Sequence, residues 1–380
     1  MKILSKKNNG ITLVALVITI IILLILAGIT ISSLTNTGLF KQAQNAKNVT
    51  QEKTAEEKAT LDNYEEQIGI ASGAKEYTAA KTITEAQTED MLSKKVNSTM
   101  TDAYGNKITV PAGFKITNDA TTVNKGIVII DSNENEFVWI PVGKIYTNTA
   151  KTEENAKTIE LGRYAFDSNG TKSAYSGNYV EEDKGDTDTT LKNLGNTIAK
   201  NITNFKNSVA ANGGYYIGRY EARTATARSS KDDTLTQITE KGTDQVYNYV
   251  TQIQAAEQAQ NMYNSNKFTS DLVNSYAWDT ATLFLQTCGT NAKYSIQTRV
   301  SSTLSQTGTN TQSTKDVQCN VYDMASNVVE WTTETSGNSS IPCASRGGLY
   351  GSISYYTNDR NNAVISFSDV FVGFRPILFM

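Results

Sequence analysis

The apolar positions of the chain fall into two regimes. Residues 11–31 form an almost unbroken apolar run whose polar interruptions are Thr12, Thr19 and Thr30. That length matches the roughly 20 residues a helix needs to span a bilayer. Lys2, Lys6 and Lys7 precede it, which keeps the N-terminal end in the cytoplasm and sends the rest of the chain outside. A break at residues 35–38 leads into residues 41–67, which lack Pro and Gly and are rich in Ala, Glu, Lys and Gln, all good helix formers. Leu61, Tyr64 and Ile68 add a narrow apolar stripe at helical spacing. The pattern therefore predicts a transmembrane and stalk helix over residues 11–69.

Residues 70–105 are polar and Thr-rich and read as a linker with one short helix near residues 84–92. From residue 106 the apolar residues come instead in short β-branched and aromatic runs, at 108–111, 126–131, 136–142 and 213–221, each with strand character. Helical spacing returns at residues 251–262 and 276–287. Residues 146–201 are mostly polar and read as a surface insertion unable to make a core. The expected class is α+β, a long N-terminal helix followed by a domain of mostly short antiparallel strands over residues 106–380. Trp139, Trp278 and Trp331 are its expected core aromatics.

Composition narrows the chemistry. The 380 residues contain no histidine, which removes the commonest general base, the His-paired nucleophiles and most zinc and non-haem iron sites. Three cysteines, Cys288, Cys319 and Cys343, form no C-x-x-C pair, so a zinc ribbon or thioredoxin-type site is not expected. One disulfide and one spare thiol fit an exported domain. The formal charge of −3, with no basic block beyond the first residues, gives no electrostatic reason for a nucleic-acid partner.

Three readings of the N-terminal segment stand: a cleaved signal peptide, a plain membrane anchor and a processed leader. Its apolar run is longer than a usual signal core, and no small-x-small site follows it cleanly. The stretch Asn8-Asn9-Gly10-Ile11-Thr12-Leu13 resembles the prepilin-peptidase site of type IV pilins: a short basic leader, a Gly, then an apolar helix. The resemblance implies a leader over residues 1–10 and a cut between Gly10 and Ile11. It also implies display on the outer surface of a bacterium, with pilin subunits as partners. Ala15 stands where pilins usually carry Glu, which fits a minor pilin or a non-polymerising anchor better than a major filament subunit.

The later segments resemble the formylglycine-generating enzyme-like (sulfatase-modifying factor) domains, which have a C-type lectin-like fold. The residues that carry the likeness are Phe137-Val138-Trp139-Ile140-Pro141, then Tyr215 to Glu221, then Val321-Tyr322-Asp323-Met324-Ala325-Ser326-Asn327-Val328-Val329-Glu330-Trp331. Arg346-Gly347-Gly348 and Gly373-Phe374-Arg375-Pro376 complete the order. The members that make formylglycine use a cysteine pair after Arg-Gly-Gly to hold copper and attack substrate. No cysteine follows Cys343 here, so a binding module is expected and not an enzyme. A divergent oxidase and a ligand-free structural pilin are the alternatives. The resemblance also implies calcium as a cofactor, held by Asp323 and Glu330 through side chains and by Ser326 and Val328 through carbonyls, hard oxygen ligands of the kind calcium prefers. Ser326 departs from the family's usual Gly.

Between Gly348 and Gly373 lies a segment rich in Tyr, Ser, Asn, Asp and Gly, the composition of paratopes, where Tyr supplies rigid contact area and the small polar residues supply adaptable hydrogen bonds. The layout resembles the variable region of targets of diversity-generating retroelements. The expected ligand-binding set is Leu349, Tyr350, Ser352, Tyr355, Tyr356, Asn358, Asp359, Phe367, Ser368 and Phe371, facing an extracellular protein or a cell surface. Arg346, Arg360 and Arg375 are expected to serve the framework, since an Arg fork can tie several oxygens at once.

Overall fold

The computed structural model describes residues 81–181, 183, 201–308 and 315–380. The chain divides into two units, Met1–Ala79 and Ala80–Met380, and the described residues fall in the second. The helix expected over residues 11–69 and the processing pair Gly10 and Ile11 lie outside them. Among the described residues no helix is long and apolar enough to cross a membrane.

The second unit is mixed α and β, with mostly short antiparallel strands and few helices. Ten strands make its two larger sheets: β1 (Phe114–Ile116), β2 (Val128–Asp131), β3 (Glu136–Pro141), β4 (Gly214–Gly218), β5 (Thr269–Leu272), β6 (Val329–Thr335), β7 (Cys343–Arg346), β8 (Arg360–Ala363), β9 (Val372–Phe374) and β10 (Pro376–Phe379). The six-stranded sheet has the order β5-β10-β4-β3-β2-β1 and is antiparallel throughout. The four-stranded sheet has the order β8-β7-β6-β9, with β6 and β9 parallel. Strands β3 and β4 are buried on both faces, which explains why their sequences are continuous apolar runs instead of alternating ones. Trp139 and Tyr216 pack across this pair with ring centroids 5.0 Å apart.

Among the described residues four helices frame the sheets: α1 (Ile83–Gln87), α2 (Ile202–Asn212), α3 (Gln252–Gln260) and α4 (Ser275–Cys288). Each start has a local cause where a cap is present. Thr251 and Gln254 form a capping box at α3, and the Asn274 side chain accepts from the amide of Ala277 at α4, each satisfying an orphan donor of the first turn. Helix α4 is buried from Ala277 to Leu285 and carries Trp278 and Asp279 into the interior.

Two sequence expectations need correction. The segment read as linker is folded from residue 81: Lys81–Thr82 pairs parallel with Ser98–Thr101, which pairs antiparallel with Lys107–Val110. Ile83, Met91 and Met100 bury their side chains there, and isolated apolar residues among polar ones conceal that core contribution. The segment read as a surface insertion also contributes to the interior. Ala156–Ile159 pairs with Gly143–Tyr146, Ile159 and Tyr164 are buried, and Val180 bridges to Thr335 of β6. Its Glu181 carboxylate accepts from the Ser275 amide and the Thr333 hydroxyl, each at 2.9 Å.

Candidate functional site

Strand β7 ends at Arg346, and the next two residues must be glycine. Gly347 has φ +90°, and a Cβ there would lie 2.8 Å from the Met324 carbonyl oxygen and 3.1 Å from the Trp278 ring. At Gly348 a Cβ would collide with the Ala325 carbonyl oxygen at 1.8 Å. The backbone thus squeezes past the 324–326 loop and emerges as the surface segment 349–371, which folds back once through β8 before β9 re-enters the interior.

Beneath this segment lies a buried ionic cluster. Arg346 and Arg360 bracket Asp279 and Glu334. Arg360 donates to an Asp279 oxygen at 2.6 Å and through Nε to both Glu334 oxygens at 2.9 and 3.1 Å. Arg346 pairs with Asp279, and Arg163 from the former insertion pairs with Glu334. Burial alone would push the Glu334 carboxyl up. The guanidinium groups of Arg360, Arg346 and Arg163 outweigh it and hold the carboxyl below its ordinary range. The Arg360 guanidinium also stacks 3.8 Å above the Tyr175 ring.

The cluster reaches the surface segment through main-chain oxygens. Arg346 Nε donates to the Asp359 carbonyl at 2.8 Å, and a terminal Arg346 nitrogen donates to that of Asn358 at 3.2 Å. Trp278 Nε1 donates to the Thr357 carbonyl at 2.9 Å, Arg299 to that of Tyr350 at 3.0 Å and Asn248 to that of Val370 at 2.9 Å. Thr357, fully buried, anchors the middle of the segment with its hydroxyl on the Tyr294 carbonyl at 2.7 Å.

None of the ten expected ligand-binding residues is buried, and Tyr356 is exposed by 40%. Leu349, Tyr355, Phe367 and Phe371 come together with Trp331 in one groove of about 380 Å³. Phe367 packs on both Trp331 and Phe371 with centroids 6.3 and 6.0 Å apart. Tyr350, Ser352 and Ser368 are half-buried and do not line that groove. Asn358 and Asp359 belong to the framework: both carbonyls are held by Arg346, and the Asp359 carboxylate accepts from the Tyr356 amide at 2.8 Å. The sequence reading missed Ile353, Val364 and Ile365, exposed by 67%, 44% and 37%. Four of the five large exposed apolar residues among those described, these three and Tyr356, lie in this one segment. Adjacent Val364 and Ile365 give a strand-like signal that hides their exposure.

Two of the four residues named for calcium already face guanidinium groups. Both Glu330 oxygens face the Arg375 guanidinium, at 3.0 and 2.6 Å, and Asp323 lies 3.9 Å from that of Arg223. A divalent cation placed among them would sit against two guanidinium groups. Among the described residues no group of three or more His, Cys, Asp or Glu side chains could hold a metal.

No family model and no curated protein matches the chain. Among solved structures it resembles Treponema denticola variable protein 1, at 13% identity and a TM-score of 0.33, over 70% of this chain and 99% of that one.

Proposed function

We propose that this chain is a binding protein, not an enzyme, and that segment 349–371 is its ligand-binding face. The observation that carries the reading is the contrast within that segment: exposed apolar and aromatic side chains sit on a backbone fixed by the buried Arg346 and Trp278. Exposed apolar clusters of this kind mark interaction sites, and rigid aromatic anchors supply most of the energy in typical interfaces. The ligand is an extracellular protein or cell surface. The domain is a formylglycine-generating enzyme-like module of C-type lectin fold, displayed outside a bacterium by a pilin-like N-terminal anchor. The Tyr, Ser, Asn and Asp content of the face supports diversification of its sequence between copies, as in retroelement targets. A near-identical repeat in the flanking DNA, differing mainly at adenines, would mark that process.

The test is a selection of phage-displayed peptides on the full chain, followed by rebinding to a variant carrying Ile353→Asp and Tyr356→Ala. Peptides that lose binding to the variant support the face. A set of selected peptides indifferent to both substitutions overturns it.

A further inference from the structure

A second cavity, of about 450 Å³, brings two of the three thiols together. Cys288 and Cys319 both line it, each with its chain neighbour, Gly289 and Gln318. Cys288 is the last residue of α4, and Cys319 opens the two-residue turn between the strands Val317–Gln318 and Val321–Tyr322. That turn has φ of +43° at Cys319 and +66° at Asn320, as a hairpin of this length requires. The neighbours of the two cysteines are already tied together. The Gln318 side-chain oxygen accepts from the Thr290 amide at 2.7 Å, and a Cβ on Gly289 would lie 2.3 Å from that same oxygen. Gly126 presses on the turn from another side, leaving no room for a Cβ against the Cys319 carbonyl. Cys343 is fully buried on β7, between β6 and β8, and does not line the cavity.

We propose that Cys288 and Cys319 form a covalent cross-link site, closed to an intramolecular cystine by a low-molecular-weight disulfide, with Cys343 left as the free thiol. In chemical terms the Cys288 thiolate, its proton lost to solvent, attacks one sulfur of a small disulfide such as oxidised glutathione. The S–S bond of the reagent breaks and one glutathione thiolate leaves and takes up a proton. The Cys319 thiolate then attacks Cys288 Sγ in the mixed disulfide and displaces the second glutathione. Two cysteine thiols are oxidised to one cystine, and one glutathione disulfide is reduced to two thiols. Burial pushes the Cys288 thiol up to about 11 and the Cys319 thiol up to about 12, where Cys288 itself adds to the shift. The thiolate is the attacking species, so closure accelerates with rising pH. The proposal stands independently of the ligand-binding reading.

The experiment treats the full-length chain with oxidised glutathione at mildly alkaline pH, alkylates remaining thiols and digests with trypsin and a glutamyl endoprotease. Cleavage at Glu330 and Glu334 separates Cys319 from Cys343. The expected result is Cys288 joined to Cys319, with Cys343 alkylated. Cys343→Ser retains the link and Cys319→Ser loses it. The linked form melts at a higher temperature than the same sample reduced with dithiothreitol. A bond involving Cys343 overturns the proposal. Recovery of Cys288 and Cys319 as separate alkylated or glutathione-bound residues overturns it equally.

Discussion

Arg375 holds both Glu330 oxygens with one edge of its guanidinium, through Nε and a terminal nitrogen, at a point where neither side chain touches solvent. The remaining Arg375 donors go to the carbonyls of Gly218 and Tyr322 at 2.9 and 2.8 Å. Arg375 is also the single residue between β9 of the four-stranded sheet and β10 of the six-stranded sheet. One guanidinium therefore ties both sheets where the chain passes between them. Arg375→Met strands a buried carboxylate and should cost about 3–5 kcal/mol, read from urea unfolding. The double change Glu330→Met with Arg375→Met removes both charges and should recover much of that loss, because an apolar pair avoids the desolvation penalty.

Because Arg375 occupies the position a cation would need beside Glu330, millimolar calcium should leave the melting temperature unchanged. A ligand that binds only the folded state must raise it. A calcium-dependent rise that disappears in Glu330→Ala would show that the loop rearranges to expel the guanidinium.

Framework and face should separate cleanly on mutation. Ile353→Ser and Tyr356→Ala alter exposed side chains and should each shift stability by less than about 0.5 kcal/mol. Arg346→Met leaves Asp279 with Arg360 alone and releases two carbonyls of the segment, and should cost about 3 kcal/mol or more. Urea midpoints of the three variants measure the contrast. Comparable losses in all three would show that the exposed side chains are structural.

Stability should fall between about pH 4 and pH 7 through Asp271 on β5. Burial raises its carboxyl to about 7, with the nearby Glu181 adding to the shift, while hydrogen bonds from Gln260 and the Leu272 amide only partly offset it. A folded-state value above the unfolded 3.8 means that the folded chain binds the proton more tightly. Its contribution is thus neutral below the unfolded value and increasingly unfavourable as pH rises towards 7. Asp271→Asn should flatten this part of the profile and stabilise the chain at pH 8 by at most about 4 kcal/mol. Urea unfolding at pH 4, 6 and 8 gives the slope.

The N-terminal proposal has its own check. Prepilin peptidase should cut between Gly10 and Ile11, and mass spectrometry of the membrane-extracted chain reads the mature end. Intact chains that retain residues 1–10 would leave a plain anchor.

Much of the sheet framework is visible in the sequence because β3 and β4 are apolar on both faces and α4 carries its apolar residues at helical spacing. The first folded residues are less visible. Thr82 and Glu85 form a capping box, a local signal legible in the sequence, yet the burial of Met91 and Met100 depends on partners elsewhere in the unit. At the site, composition points to the right segment, but side-chain identity does not reveal that Asn358 and Asp359 act through their carbonyls. The Arg375 partner of Glu330, in the loop named for calcium, is hidden for a related reason. Glu330 has its partner 45 residues away at Arg375, and no local spacing announces a pairing that only the meeting of two sheets creates.

The bonds from Arg346, Trp278, Arg299 and Asn248 to segment 349–371 all end on peptide oxygens. Such oxygens are common to every residue type. Evolution can therefore rewrite the side chains at Tyr350, Asn358, Asp359 and Val370 without unfastening those bonds. At Tyr350 and Val370 a change of side chain therefore leaves the fastening of the segment in place, while Thr357 and Arg360 hold it through their side chains.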